Sequence, residues 1–342
     1  MRISVDAMGG DDAPREIVAG ALVAARQIEG LERLFLVGDQ EAIEAELAQS
    51  SEPIPACIEI VHTTEVVGMG EAPATAIRRK KDSSISRAIT LLKEGDADAV
   101  FSAGNTGAAV AASTLKLRTL EGVSRPAIAT VIPTSKKPYV LLDAGANPDS
   151  TPEMLQQFAV MGSIYSREIL GVASPRVGLL SIGEEAAKGN ETTKKGFGLL
   201  EQARLQFVGN VESRDLFSGK VDVAVCDGFV GNVVLKTTEA VASMISTWLK
   251  ELFRESPIRI LGYLLSRGVF REVRRKTDPS CHGGAPLLGA NGVVIIGHGS
   301  SNREAAYNGI RVAIEAVSHD VNHLIEDALR EINHVDNSGD GE

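Results

Sequence analysis

Four short stretches hold the residue types from which chemistry could be built. In SAGNTG, residues 102–107, an apolar run gives way to a helix-like segment across Gly104, Asn105, Thr106 and Gly107. N–H groups at a helix start are unpaired and attract an anion, and glycines let it approach closely. The plain alternative is that Asn105 or Thr106 caps the helix. In SIGEEAAKGN, residues 181–190, Lys188 is either a phosphate contact or a charge paired with Glu184 or Glu185. CDGFVGN, residues 226–232, sets Cys226 and Asp227 ahead of a glycine turn and Asn232. HGSS, residues 298–301, puts His298, Ser300 and Ser301 before a long helical segment. Small hydroxyl side chains there cap helices, and they also donate to oxyanions.

Cys226 first suggests a nucleophile, but a thiolate needs a base or a positive field. Its sequence neighbours are Asp227 and apolar residues, which oppose one, so packing at a strand end is the better reading. No GxSxG elbow, GxGxxG, Walker A or HExxH pattern is present, and no CxxC or His/Cys spacing suggests a metal. The remaining set is one of backbone donors, hydroxyls and a few charges. It suits orienting an anionic reactant rather than forming a covalent enzyme intermediate.

These residues need a scaffold. Short apolar runs at 3–6, 34–38, 58–62, 99–102, 128–132, 139–143, 177–181, 206–209, 221–226 and 292–297 read as strands. Helical patterns cover 14–27, 40–49, 84–93, 106–117, 152–170, 192–202, 232–253 and 302–332. The alternation predicts an α/β fold, a mainly parallel sheet covered by helices on both faces. Runs 128–132 and 139–143, joined by PTSKKP, predict an antiparallel hairpin. Ligands bind beyond the C-terminal ends of such strands. Eight polar, glycine-rich stretches are expected there: 6–12, 102–107, 143–149, 181–190, 209–212, 226–232, 283–292 and 298–301. Their convergence predicts one large cleft. No composition break divides the chain. The expectation is a single catalytic unit over 1–335, a helical arm at about 245–278 and a frayed tail at 336–342.

The motifs ISVDAMGGDDAP, SAGNTGA, LLDAGAN, SIGEEAAKGN, CDGFVGN, GGAPLLGANG and HGSS, in that order, resemble bacterial phosphate acyltransferases. The resemblance runs from residue 3 to about residue 330. It implies transfer of a fatty acyl group from acyl carrier protein to inorganic phosphate, giving acyl phosphate for a membrane glycerol-3-phosphate acyltransferase. It also implies a homodimer without an organic cofactor, and a fold similar to phosphotransacetylases and isocitrate/isopropylmalate dehydrogenases. Within that chemistry, Lys188, Gly104, Asn105, Thr106 and Gly107 are expected to bind phosphate. Asn232 and the Gly228–Gly231 turn would orient phosphate or the thioester carbonyl. His298 or Ser300 would donate to the oxyanion or protonate the thiol. Asp6, Asp143, Asn147 and Asp227 would order the donors. Two alternatives stay open: a phosphotransacetylase-like enzyme using acyl-coenzyme A, and a non-catalytic scaffold that binds acyl carrier protein at the membrane.

The net charge of −10 over 342 residues argues against nucleic-acid binding and means an acidic partner needs a local basic patch. Arg78, Arg79, Lys80 and Lys81 form one, either a carrier docking site or a solvated loop. From Lys250 to Lys276 there are eight Lys/Arg and three Glu, a local +5, interleaved with Ile258, Leu261, Leu264, Leu265 and Phe270. That segment fits a dimer interface, a membrane surface or both. Three widely spaced cysteines, no signal-peptide pattern and no spanning apolar run favour the cytoplasm, with peripheral contact at the inner face of the membrane.

Overall fold

The innermost strands are buried on both faces, which is why they read as continuous apolar runs rather than alternating ones. The computed structural model describes residues 1–277 and 283–339. Cys281 and residues 340–342 of the tail lie outside them. The chain opens with β1 (Arg2–Asp6), α1 (Arg15–Gln27), β2 (Arg33–Gly38), α2 (Gln40–Leu47), β3 (Ile58–His62), α3 (Pro73–Arg79), α4 (Ser84–Glu94), β4 (Ala99–Ser102), α5 (Thr106–Lys116) and β5 (Ala127–Ile128). It continues through β6 (Thr130–Ile132), β7 (Tyr139–Leu142), α6 (Pro152–Glu168), β8 (Arg176–Leu180), α7 (Glu191–Gln202), β9 (Gln206–Val211) and β10 (Val223–Val225). Three helices follow, α8 (Gly228–Arg254), α9 (Pro257–Leu265) and α10 (Arg267–Thr277), then β11 (Ala285–Leu288), β12 (Val293–Ile296), α11 (Arg303–Ser318) and α12 (Val321–Gly339).

The α/β layering is as expected, but the strands divide between two sheets. The first has the order β3-β2-β1-β4-β12-β11-β5, parallel except where β11 runs against both neighbours. The second has the order β6-β7-β10-β8-β9, parallel except for the β6–β7 hairpin. The chain passes from one sheet to the other at Ala129, between β5 and β6. Helices α1 and α11 cover one face of the first sheet, and α4 and α5 the other. Helices α6 and α12 pack on the second sheet, whose opposite face receives Val234 and Leu235 of α8.

Several local expectations change. Segment 302–332 is two helices, because Asp320 takes the left-handed conformation (φ 50°) between α11 and α12. Residues 283–292 are not a rim loop. Four of the ten form β11, whose antiparallel course puts Gly289–Gly292 at the opposite edge of the sheet, beside Leu120 and Leu92. Helix α12 extends to Gly339, into the segment read as tail.

Helix α8 starts at Gly228, four residues before the expected position. Asp227 caps it, accepting from the Val230 N–H at 2.8 Å. The glycines of CDGFVGN therefore form a helical first turn, and their role is close packing. The Gly228 N–H donates to the Asn147 carbonyl at 2.7 Å. A Cβ on Gly231 would overlap the Asp143 carbonyl oxygen. Backbone rather than a flexible side chain blocks that space, so Gly231→Ala should cost about 3 kcal/mol, at the upper end for overpacking. Denaturant unfolding checks this, with Gly198→Ala, whose Cβ would meet nothing within 4 Å, as the near-neutral control.

Candidate functional site

At the C-terminal edge of the first sheet three neighbouring strand ends interlock. The Asp11 N–H donates to the Gly299 carbonyl at 2.7 Å, and a Cβ on Gly9 would lie 2.6 Å from the Gly104 nitrogen. Beneath them Asp6 is buried and accepts from the Ser102 hydroxyl at 2.7 Å. Burial pushes the Asp6 carboxyl up, against hydrogen bonds from Ser84 and Ser102. The Gly104 N–H is already engaged by Ser102 Oγ at 3.2 Å. Asn105 caps α5 by accepting from Ala108 N–H at 3.0 Å, and its Nδ2 donates to Met69 and Glu71 carbonyls at 2.9 and 3.2 Å. Both groups expected on phosphate are thus bonded within the fold. Thr106 is exposed at the helix start, and Gly107 is packed against Pro73 of α3.

The second sheet contributes Asp143, fully buried at the end of β7. Its Oδ1 accepts from the N–H groups of Ile128, Gly145 and Ala146, each at 3.0 Å. Its Oδ2 accepts from Asn147 N–H at 2.7 Å and Asn147 Nδ2 at 2.9 Å. Burial pushes the Asp143 carboxyl up, and these donors act against it. None of the five can accept a proton, so the cage is complementary to the carboxylate. Asn147 Nδ2 also donates to the Pro126 carbonyl at 2.8 Å. Cys226 lies next to this cage, 2% exposed, with Sγ 3.7 Å from the Asp143 carbonyl oxygen. Burial first, then Asp227 and Asp143, raises its thiol well above the ordinary range.

The two edges meet through α8. Asn232 lies over Gly145, and one helical turn further on Lys236 Nζ reaches His298 Nε2 at 3.1 Å. Lys236 also pairs with Glu239 at 3.2 Å. An ammonium can only donate, so Nε2 accepts there, while Nδ1 faces Ser300 Oγ at 2.8 Å and the Ser300 N–H at 3.2 Å. Helix α11 is capped by Asn302, which accepts from Ala305 N–H at 2.9 Å, so Ser300 is not the cap. A cleft of about 280 Å³ runs beside this junction, between α3 and α5 on one side and residues 125–126 and 145–147 on the other.

Lys188 stands at the end of β8, exposed, its stem packed over Gly183. Glu184 pairs with Lys220 at 3.0 Å instead, and among the described residues the Lys188 ammonium makes no ion pair. In strand order its loop lies beyond β10 from Asp143.

Residues 1–324 match the family described as fatty acid synthesis protein. A phosphate acyltransferase from Pelotomaculum thermopropionicum is 50% identical over 341 residues, 100% of this chain and 98% of that one. Another from Desulfitobacterium hafniense is 52% identical over 333 residues, 97% of this chain and 98% of that one. The chain belongs to the phosphate acyltransferase family. The fold is also that of a phosphotransacetylase from Streptococcus pyogenes (TM-score 0.61, 18% identity, 93% of this chain and 94% of that one). A branched-chain phosphotransacylase from Enterococcus faecalis is similar (TM-score 0.58, 15% identity, 93% and 99%).

For this member of the phosphate acyltransferase family, the sequence reading missed Lys236 and Arg125. Lys236 had a signal: it is four residues after Asn232 on one helix. Arg125, just before Pro126, had none. The basic run is half helix and half turn. Arg78 and Arg79 are the last turn of α3, and Arg78 lines the cleft. Lys80 is bound to Glu71 at 2.5 Å and to the Val66 carbonyl at 2.7 Å, while Lys81 is exposed. In the arm, Ile258, Leu261, Leu264 and Leu265 of α9 are exposed, up to 83% at Ile258. Phe270 instead packs inward with Phe253 and Tyr263, ring centroids 5.1 Å from each, and ties α8, α9 and α10 together. Among the described residues no helix is long and apolar enough to cross a membrane.

With its thiol buried and raised, Cys226 should resist alkylation in the native protein at pH 8 and react after unfolding. Cys226→Ala should retain most of the activity. Native labelling at Cys226, or loss of turnover in a folded Cys226→Ala protein, would return the nucleophile to contention; peptide mapping and initial rates decide.

Proposed function

We propose that this acyltransferase of fatty acid synthesis moves an acyl group from the thioester of acyl carrier protein to inorganic phosphate. The observation that carries this reading is the composition of the junction. The cysteine there is buried, Lys236, His298 and Ser300 meet at the junction, and the polar groups of the adjoining apolar-walled cleft are Arg78, Arg125, Thr114 and Asn147. With the thiol withdrawn into the core, phosphate serves as the nucleophile, and the site's cations and donors bind and orient it.

A hydrogen-phosphate oxygen attacks the thioester carbonyl, and the carbon–oxygen bond forms as the carbonyl becomes an oxyanion. The tetrahedral intermediate collapses with loss of the carbon–sulfur bond. The proton that hydrogen phosphate carried leaves on the carrier thiol, so the step balances without a proton from solvent. Lys188 and Thr106 hold the dianion, and Asn232 aligns it with the carbonyl. Ser300, oriented by His298, donates to the oxyanion. Lys236 on Nε2 and Ser300 on Nδ1 hold the imidazole ring from both sides, which keeps that donor aimed. Proximity is the main source of rate, since both reactants are held and neither is made more reactive by a covalent step.

Helices α8–α10 carry exposed apolar side chains along a shaft (Val241, Ile245, Trp248, Leu252) and at a tip (Ile258, Leu261, Leu264, Leu265). In this reading a second copy of the chain covers the shaft. The tip rests on the cytoplasmic face of the membrane, where the acyl phosphate passes to the glycerol-3-phosphate acyltransferase.

Phosphate-dependent release of carrier thiol tests the reaction. Lys188→Ala should raise the KM for phosphate at least about tenfold, the effect of losing ~1.4 kcal/mol. Asn232→Ala should lower kcat by about 100-fold, in the range for a lost orienting donor. Full turnover by Lys188→Ala at unchanged phosphate KM would overturn its assignment. Leu264→Glu should abolish flotation with anionic liposomes while the dimer persists by sedimentation. Unchanged flotation removes the tip from membrane contact.

A further inference from the structure

The cleft beside the junction has a chemistry of its own. Its walls are apolar, from Pro73 and from Val110, Ala111 and Leu115 on one face of α5, and Gly107 offers no side chain. Two guanidinium groups, Arg78 and Arg125, line it from opposite sides. Both are exposed, and among the described residues neither makes an ion pair, in a chain with ten more negative than positive groups. Their segments are held rather than loose. Arg78 is in the last turn of α3, which packs on α5. Arg125 precedes Pro126, whose carbonyl accepts from Asn147 Nδ2 at 2.8 Å, and the Ser124 N–H donates to Gln157 at 2.9 Å. The inner end is formed by Gly145–Asn147, with Asn232 lying over Gly145. A second cleft, of about 230 Å³ at the opposite edge of the first sheet, is lined by Asp98, Asp320 and Glu326 and would repel an anion.

We propose that the cleft holds the 4′-phosphopantetheine group of the acyl carrier protein, with Arg78 and Arg125 binding its phosphodiester. This rests on the reading of function above and adds the subsite that delivers the thioester. Guanidinium groups bind phosphate oxygens through paired N–H donors, and here no internal carboxylate competes for them. The pantetheine chain alternates amides with methylene and methyl groups. It suits a trough with apolar walls and an amide at the end, and a chain with its anion at one end and its sulfur at the other enters in one direction. The phosphodiester stays between the arginines and the thioester reaches Asn232. Arg125 is therefore a substrate-binding residue that the basic run at 78–81 does not include.

Calorimetry with 4′-phosphopantetheine and with pantetheine, which lacks the phosphate, tests this on the full-length protein. The wild type should prefer the phosphorylated ligand by about tenfold or more. The double variant Arg78→Gln/Arg125→Gln should lose that preference, and the lysine double variant should restore part of it. Because both side chains are exposed, the variants should melt with the wild type. If they do not, the single variants, each losing part of the preference, carry the test. Equal affinity of the wild type for both ligands, or a preference intact in the double variant, overturns the proposal. Coenzyme A binding more than about tenfold tighter than phosphopantetheine would overturn the assignment to a carrier-borne group and point to a nucleotide end. Thiol release from acyl carrier is measured separately. A ligand preference without phosphate-dependent release would leave the subsite standing and remove the transfer reaction.

Discussion

One buried carboxylate organises the junction on which everything else is placed. Asp143 takes a donor from β5 of the first sheet, three from its own loop and one more from the Asn147 side chain. A charge buried without partners is costly, and with five fixed donors it becomes a rigid node. The node sits where the chain leaves one sheet for the other. It fixes the Pro126 segment through Asn147, and its own main chain leaves room only for glycine on the first turn of α8. The direction of α8, and with it the place of Asn232 and Lys236, follows from that contact.

Much of the scaffold was legible in the sequence because burial writes a simple signal. Strands covered on both faces are unbroken apolar runs, and amphipathic helices between them give the alternation. The hairpin over β6 and β7 was visible in its turn residues. The partition into two sheets was not, since nothing in a strand's composition says which neighbour it pairs with, and β5 and β6 are separated by one residue. The same limit explains β11: GGAPLLGANG looks like a loop because its glycines are dense, yet the apolar residues between them pair with β12 and β5.

At the site, residue types were easier to read than their duties. Asn105 and Asp227 have the composition of ligand-binding residues and the geometry of caps. Both uses ask for the same oxygen at the same place, so sequence alone cannot separate them. Asp143 was noticed as an orienting residue, but its cage depends on Ile128, fifteen positions earlier, and on a turn that exists only once the sheets have met. Lys236 was missed because its partner His298 is 62 residues away in sequence. The sites of contact between the sheets are where the sequence is least informative and where the chemistry is gathered.

Helix α8 runs without a break from the junction into the arm, and the chain's one tryptophan lies on it. Trp248 is sixteen residues beyond Asn232, about 24 Å along the axis at 1.5 Å per residue, and is 55% exposed. Its indole emission therefore comes from the shaft alone, with nothing from the cleft to dilute it. The protein carries its own optical gauge of whether that surface is wet or covered, readable in intact material without a label.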